Sequence, residues 1–146
     1  MGTLNKGRGG TVGTSQYVGR TKWARAYYDF ATDGGAVGAI VLRGDKIPTG
    51  AVVLSTVLDV TTAVASGGAA TVSLGINSAV DVRAAATLAT APKLDTVASP
   101  LGAVTRATSG LNSDADNDVT ATVAVAALTA GAFSVLIEYV ELYSAV

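Results

Sequence analysis

The stretch AVVLSTVLDVTT, residues 51–62, decides the fold class. Seven of its twelve residues are Val or Thr, and it holds neither Gly nor Pro. β-branched side chains are stiff at χ1 and suit a pleated strand better than a helix. Successive strand side chains point to opposite sides, so Val53, Ser55, Val57, Asp59 and Thr61 share one face and Val52, Leu54, Thr56, Leu58 and Val60 the other. The second set is the more apolar and is expected to point inward.

Working outward, Ser66-Gly67-Gly68 signals a turn, and residues 70–76 (ATVSLGI) alternate as a second strand, so the pair reads as a hairpin or meander. Upstream, residues 37–42 form a short β-branched run after the turn signal Asp33-Gly34-Gly35. The segment RGDKIPTG, residues 43–50, has the charge, Pro48 and Gly50 of a surface loop. Downstream, residues 119–126 and 133–143 alternate strongly, with Leu128-Thr129-Ala130-Gly131 as a compact turn between them. Residues 79–91 (AVDVRAAATLATA) are dense in Ala and predict a short helix or an irregular crossover. Pro92 and Pro100 bracket a polar connection, residues 101–108 suggest a short edge strand, and residues 111–118 (LNSDADND) a charged turn. About seven strands separated by short turns predict an all-β fold, an antiparallel β-sandwich of jelly-roll-like form.

Composition narrows the chemistry. The 146 residues include no Cys and no His, which excludes disulfides, Cys/His metal sites, thiol nucleophiles and imidazole bases. Ala, Val, Thr and Gly make up 82 residues, against eight aromatics, so the core is built from small side chains and packs thinly. A thin core leaves much of the stability to association between copies, and oligomerisation is expected. The longest apolar runs are strand-sized, and the start MGTLNKGRGG lacks the apolar stretch of a signal peptide. A soluble chain without a secretion signal or membrane association is expected.

Charge is distributed unevenly. Residues 1–30 carry five bases against Asp29 alone, whereas the other 116 residues carry five bases against ten acids. Residues 1–23 read as a flexible basic N-terminal arm, rich in Gly and Thr and without periodicity, and residues 24–146 as the β-sandwich domain. WARAYYDF, residues 23–30, concentrates four of the eight aromatics and reads as an anchoring surface or a first strand, with core filling as the plain alternative. The candidate contact residues are Lys6, Arg8, Tyr17, Arg20, Lys22, Trp23, Arg25, Tyr27 and Tyr28. They have the chemistry of a nucleic-acid groove, but the acidic body repels a polyanion, and an acidic protein surface uses the same residues with less conflict.

The remaining motifs are weak. Asp114, Asp116 and Asp118 open like a calcium loop, yet Val119 replaces the required Gly and Val125 the closing Glu, so a solvated turn is expected. Arg43-Gly44-Asp45 spells an integrin tripeptide inside a charged turn and reads as structural. The glycine-rich residues 7–13 lack the GK[ST] ending of a phosphate loop. No cofactor and no catalytic set is expected.

The run YYDFATDGGAVGAIVLRGDKIPTGAVVLSTVLDVTTAVASGGAATVSLGINSAVDVRAAA, residues 27–86, with LTAGAFSVLIEYV, residues 128–140, resembles head decoration, minor capsid (cement) or capsid-fibre proteins of tailed bacteriophages. The similarity spans roughly residues 24–142 and rests on turns and strands, not on a catalytic signature. The resemblance implies a non-enzymatic β-sandwich on the outer capsid surface of the virion, made in the bacterial cytoplasm, bound to the major capsid protein, and often a homotrimer near a local threefold axis. The alternatives are a tail or neck component and a host-binding adhesin, the latter using the loops at residues 43–50 and 111–118.

Overall fold

A computed structural model of the chain describes residues 21–76, 80, 82–91, 93–97 and 117–141. Nine strands run β1 (Thr21–Asp29), β2 (Gly38–Val41), β3 (Arg43–Gly44), β4 (Ala51–Ser66), β5 (Thr71–Gly75), β6 (Arg83–Ala86), β7 (Lys93–Val97), β8 (Thr120–Ala124) and β9 (Leu128–Glu141), with a single helical turn α1 (Phe30–Asp33) after β1. They form two antiparallel sheets, ordered β3-β1-β9-β4-β7 and β2-β8-β5-β6. With the two-residue β3 set aside, the eight remaining strands interleave as a jelly roll, four to a sheet. The expected all-β sandwich is the observed architecture.

The core lies between the sheets. Ala24, Ala26, Tyr28, Val53, Leu58, Val60, Phe133, Val135 and Ile137 face it from the five-stranded sheet, and Val72, Leu74, Ala121 and Val123 from the other. Tyr28 and Phe133 stack with ring centroids 4.9 Å apart and supply the largest buried side chains in an otherwise Val-rich interior. The Tyr28 hydroxyl donates to the Gly34 carbonyl at 2.7 Å. Burial raises its pKa, with Asp33 and Asp29 adding to the rise.

β4 follows its expected alternation in only one half. From Thr56 to Val60 the apolar set points inward, Thr56, Leu58 and Val60 being buried. Between Val53 and Ser55, however, β4 holds one residue more than β9, because Val53 opposes Tyr139 and Ser55 opposes Glu138. This bulge at Leu54 reverses the faces, so Ala51 and Val53 are buried while Val52 and Leu54 are only half so.

Connectivity differs from a meander. β4 and β5 lie in different sheets, so residues 66–70 carry the chain across the sandwich and do not close a hairpin. The Ala-rich residues 79–91 contribute β6, not a helix: Val72 opposes Ala86, and Leu74 opposes Arg83. Pairing at a sheet border outweighs the intrinsic preference of Ala here, since a short isolated helix has little stability of its own. The polar connection after Pro92 contains β7, which pairs with residues 56–60 of β4. The turn expected at residues 128–131 is displaced to residues 125–127, where Val125 is left-handed (φ 73°) and the Ala126 N–H donates to the Ala124 carbonyl. Gly131 instead lies inside β9, at φ 133°, opposite a bulge of β4 between Thr62 and Ala65, where a Cβ would stand 2.7 Å from the Val64 Cα. The suggested strand at 101–108 lies outside the described residues.

Residues 43–50 are also more than a loop. Arg43 and Gly44 add a strand beside β1, and Ile47 is fully buried and bridges Asn117. The Asp45 carboxylate accepts from the Arg25 N–H at 3.0 Å, and the Asp45 N–H returns a bond to the Arg25 carbonyl at 2.9 Å. Gly44, at φ 125°, lies so close to the Arg25 carbonyl oxygen that a Cβ would collide with it. Gly44→Ala is therefore expected to lower stability by about 3 kcal/mol, read as a fall in the urea midpoint; an unchanged midpoint contradicts this packing. Thr56 is the opposite case. It is buried, and its Oγ1 has no hydrogen-bond partner among the described residues. Thr56→Val keeps the shape and removes the orphan hydroxyl, so a gain of about 1 kcal/mol in the same titration is expected, and a loss contradicts it.

Candidate functional site

The strand β1 divides its residues between core and solvent. Ala24, Ala26 and Tyr28 are buried, while Trp23, Arg25, Tyr27 and Asp29 face outward from the five-stranded sheet. Ala leaves room for the opposing sheet, and the larger alternate residues are displayed on the outer face. Trp23 and Tyr27 are 53% and 41% exposed, unusual for two large aromatics on a sheet with little other aromatic surface.

Register places neighbours beside them. Across β9 and β4 the outward rows read Trp23–Glu138–Ser55, Arg25–Leu136–Val57 and Tyr27–Ser134–Asp59. Leu136 and Val57 are half-buried and join the aromatics in an apolar strip, and Leu94 of β7, opposite Asp59, is strongly exposed. The Ser55 hydroxyl donates to Glu138 Oε2 at 2.7 Å, which holds that carboxylate toward β4. Arg25 Nη2 reaches Ser134 Oγ at 3.4 Å and pairs with no carboxylate among the described residues.

Arg43 fixes the β3 border. Its guanidinium lies 4.8 Å from the Tyr27 ring centroid and donates to Asp33 Oδ1 and Oδ2 at 2.8 and 3.2 Å. Hydrogen bonding to Asp33 raises the Arg43 pKa. Asp33 Oδ2 also accepts from the Asp29 N–H at 2.8 Å, and Asp29 caps α1 by accepting from the Ala31 N–H at 3.0 Å. At the other end of β1, Lys22 pairs with Glu141 at 2.9 Å, and that hydrogen bond raises its pKa. Both partners are well exposed, so the pair adds little stability.

Of the sequence candidates, Trp23, Arg25 and Tyr27 share one surface, whereas Lys22 alternates with them onto the other face of β1, at its exposed end beside Glu141. Tyr28 belongs to the core, as its stacking and hydrogen bond show. Lys6, Arg8, Tyr17 and Arg20 lie outside the described residues. Glu138, Leu136, Asp59 and Leu94 were not anticipated. The alternation of residues 133–143 groups Leu136 with Glu138, but their position beside β1 depends on a pairing that is not local in sequence.

The other motifs have structural occupations. In Arg43-Gly44-Asp45, Arg43 serves Asp33 and Tyr27 and Asp45 serves the Arg25 backbone. Asp118 pairs with Lys46 at 3.2 Å, and Asp114 and Asp116 fall outside the described residues. No group of acidic residues suited to a metal ion occurs among the described residues. A recess of about 280 Å³ between the end of β4 and residues 87–89 is lined by Val64, Ser66, Ala70, Val72, Leu88 and Leu128 among others, with no titratable side chain. Among the described residues no helix is long and apolar enough to cross a membrane.

No protein-family model and no curated protein matches the sequence. Solved structures do match the fold. The chain is similar to one in the capsid asymmetric unit of cyanophage Pam1, with 23% identity, a TM-score of 0.59, and 86% of this chain and 87% of that one covered. It is likewise similar to a chain of the capsid of Ralstonia phage GP4, with 19% identity, a TM-score of 0.57 and coverage of 87% and 88%. A third similar chain is in the acidic stable capsid of Helicobacter pylori bacteriophage KHP30, with 17% identity, a TM-score of 0.54 and coverage of 84% and 89%. At such identities the likeness is one of fold: this jelly roll has the fold of chains found in three phage capsids.

Proposed function

We propose that this chain is a structural virion protein of a tailed bacteriophage, which decorates and stabilises the outer surface of the capsid by binding the major capsid protein. The observation that carries this reading is the near end-to-end match in fold to chains of three phage capsids, over 84–87% of the length. The surface chemistry agrees with it. Trp23, Tyr27 and Arg25, which meets no carboxylate among the described residues, form an anchor of the kind that dominates protein interfaces, aromatic and guanidinium groups beside half-buried aliphatic ones.

Attachment works as follows. The sandwich supplies a rigid outer face, and residues 1–20, which carry Lys6, Arg8 and Arg20 and no acid, lead directly into β1 beside that face. Their charge attracts an acidic shell surface. Association as a homotrimer presents three such faces and arms together, and the effective concentration of the second and third raises avidity without new contacts. The protein acts by binding, without catalysis or cofactor. A tail or neck component would share these traits, but the matched chains are all in capsids. The adhesin alternative loses its first recognition loop, since Arg43 and Asp45 are engaged internally and Ile47 is buried.

The test is co-sedimentation of the purified full-length protein with shells of its phage that lack it. Wild type is expected to bind and to raise the temperature at which shells rupture, whereas Trp23→Ala should weaken binding about 30-fold, a hot-spot loss of about 2 kcal/mol, with little change in its own melting. Absence of wild-type binding overturns the reading.

A further inference from the structure

We propose that the backbone edge of β1 at residues 21–24, which lies next to Arg25 and which no strand among the described residues covers, accepts an extended, carboxylate-bearing segment of the shell protein as an added strand. This rests on the decoration reading and specifies how the partner engages that surface.

The edge follows from the register. β1 pairs with β9 from Thr21 to Asp29, but on its other side β3 covers only Ala26 and Tyr27. Arg25 is served there by Asp45, through one side-chain and one backbone bond, after which the chain leaves for Ile47 and its bridge to Asn117. Along an antiparallel strand the N–H and C=O of alternate residues point to the same side. Since Arg25 points its backbone groups to the β3 side, Thr21 and Trp23 do too. Two donors and two acceptors therefore face outward in a row, and among the described residues no strand meets them. Such a row is a template for strand addition, with main-chain bonds supplying affinity and alternate side chains supplying selectivity.

The flanking side chains state what the strand carries. Beside the edge on the outer face stand the exposed Trp23 and Arg25, whose guanidinium has no carboxylate partner among the described residues. An incoming strand thus meets a ring suited to an apolar side chain and a cation suited to Asp or Glu. The chain's own residues 1–20 carry three bases and no acid and do not complement this edge.

Hydrogen exchange of the full-length protein, free and bound to shells, tests this together with two variants. Thr21→Pro deletes one outward N–H at a strand start, where proline is tolerated, and leaves Trp23, Arg25 and the β9 ladder in place. Arg25→Glu reverses the flanking charge. The expected result is slowed exchange of the Trp23 amide on shells and binding weakened at least about tenfold by each variant, with Thr21→Ser binding as wild type. Full shell binding with Trp23 exchanging as in the free protein, or with Thr21→Pro binding unchanged, overturns strand addition and leaves decoration standing. Concentration-dependent protection of Trp23 without shells assigns the edge to a second copy and overturns the proposed partner. No binding of wild type to shells overturns both.

Discussion

The fold depends on β9 pairing on both sides at once. It lies at the centre of the five-stranded sheet, in register with β1 over residues 132–140 and with β4 over nearly all of its length. One strand thereby fixes the facing of two others. Its inward residues Phe133, Val135 and Ile137 bring Ala24, Ala26 and Tyr28 of β1 to the core, which leaves Trp23, Arg25 and Tyr27 outside. A slip of one residue would bury the guanidinium and expose Tyr28, so core packing and the outer strip are set by the same register.

Small side chains explain the division of labour in the sandwich. Ala and Val fill most of the interior, and the stacked pair Tyr28 and Phe133 is its one large aromatic contact among the described residues. Two other aromatics, Trp23 and Tyr27, stand where they add little to that core. Arg43 supports Tyr27 from one side and is itself held by Asp33, whose carboxylate also binds the backbone before α1. The tripeptide Arg43-Gly44-Asp45 thus works as a clasp. It covers one half of the β1 edge and ends where the other half begins.

Strand existence was legible where alternation was long and uninterrupted, as in residues 51–62 and 133–143, and so was the all-β class. Pairing was not. The turn Ser66-Gly67-Gly68 is real but carries the chain between sheets, which no local signal distinguishes from a hairpin. The bulges of β4 at Leu54 and between Val60 and Ala65 reverse or bend that strand without a Gly or Pro in it to mark them. For the Ala-rich β6 and the polar β7, tertiary pairing decides what propensity does not. For the candidate site, composition singled out Trp23, Arg25, Tyr27 and Tyr28 alike, whereas Tyr28, one residue beyond Tyr27, lies in the core because strand side chains alternate. The neighbours Glu138, Leu136 and Asp59 required the three-strand register.

The most direct measurement is a cryo-electron microscopy reconstruction of the particles that contain this chain. The account predicts density on the outer shell, with the Trp23, Arg25 and Tyr27 face of the five-stranded sheet turned toward a major capsid protein subunit. Density confined to the tail, or a shell-bound sandwich whose β1 face points to solvent, would contradict it.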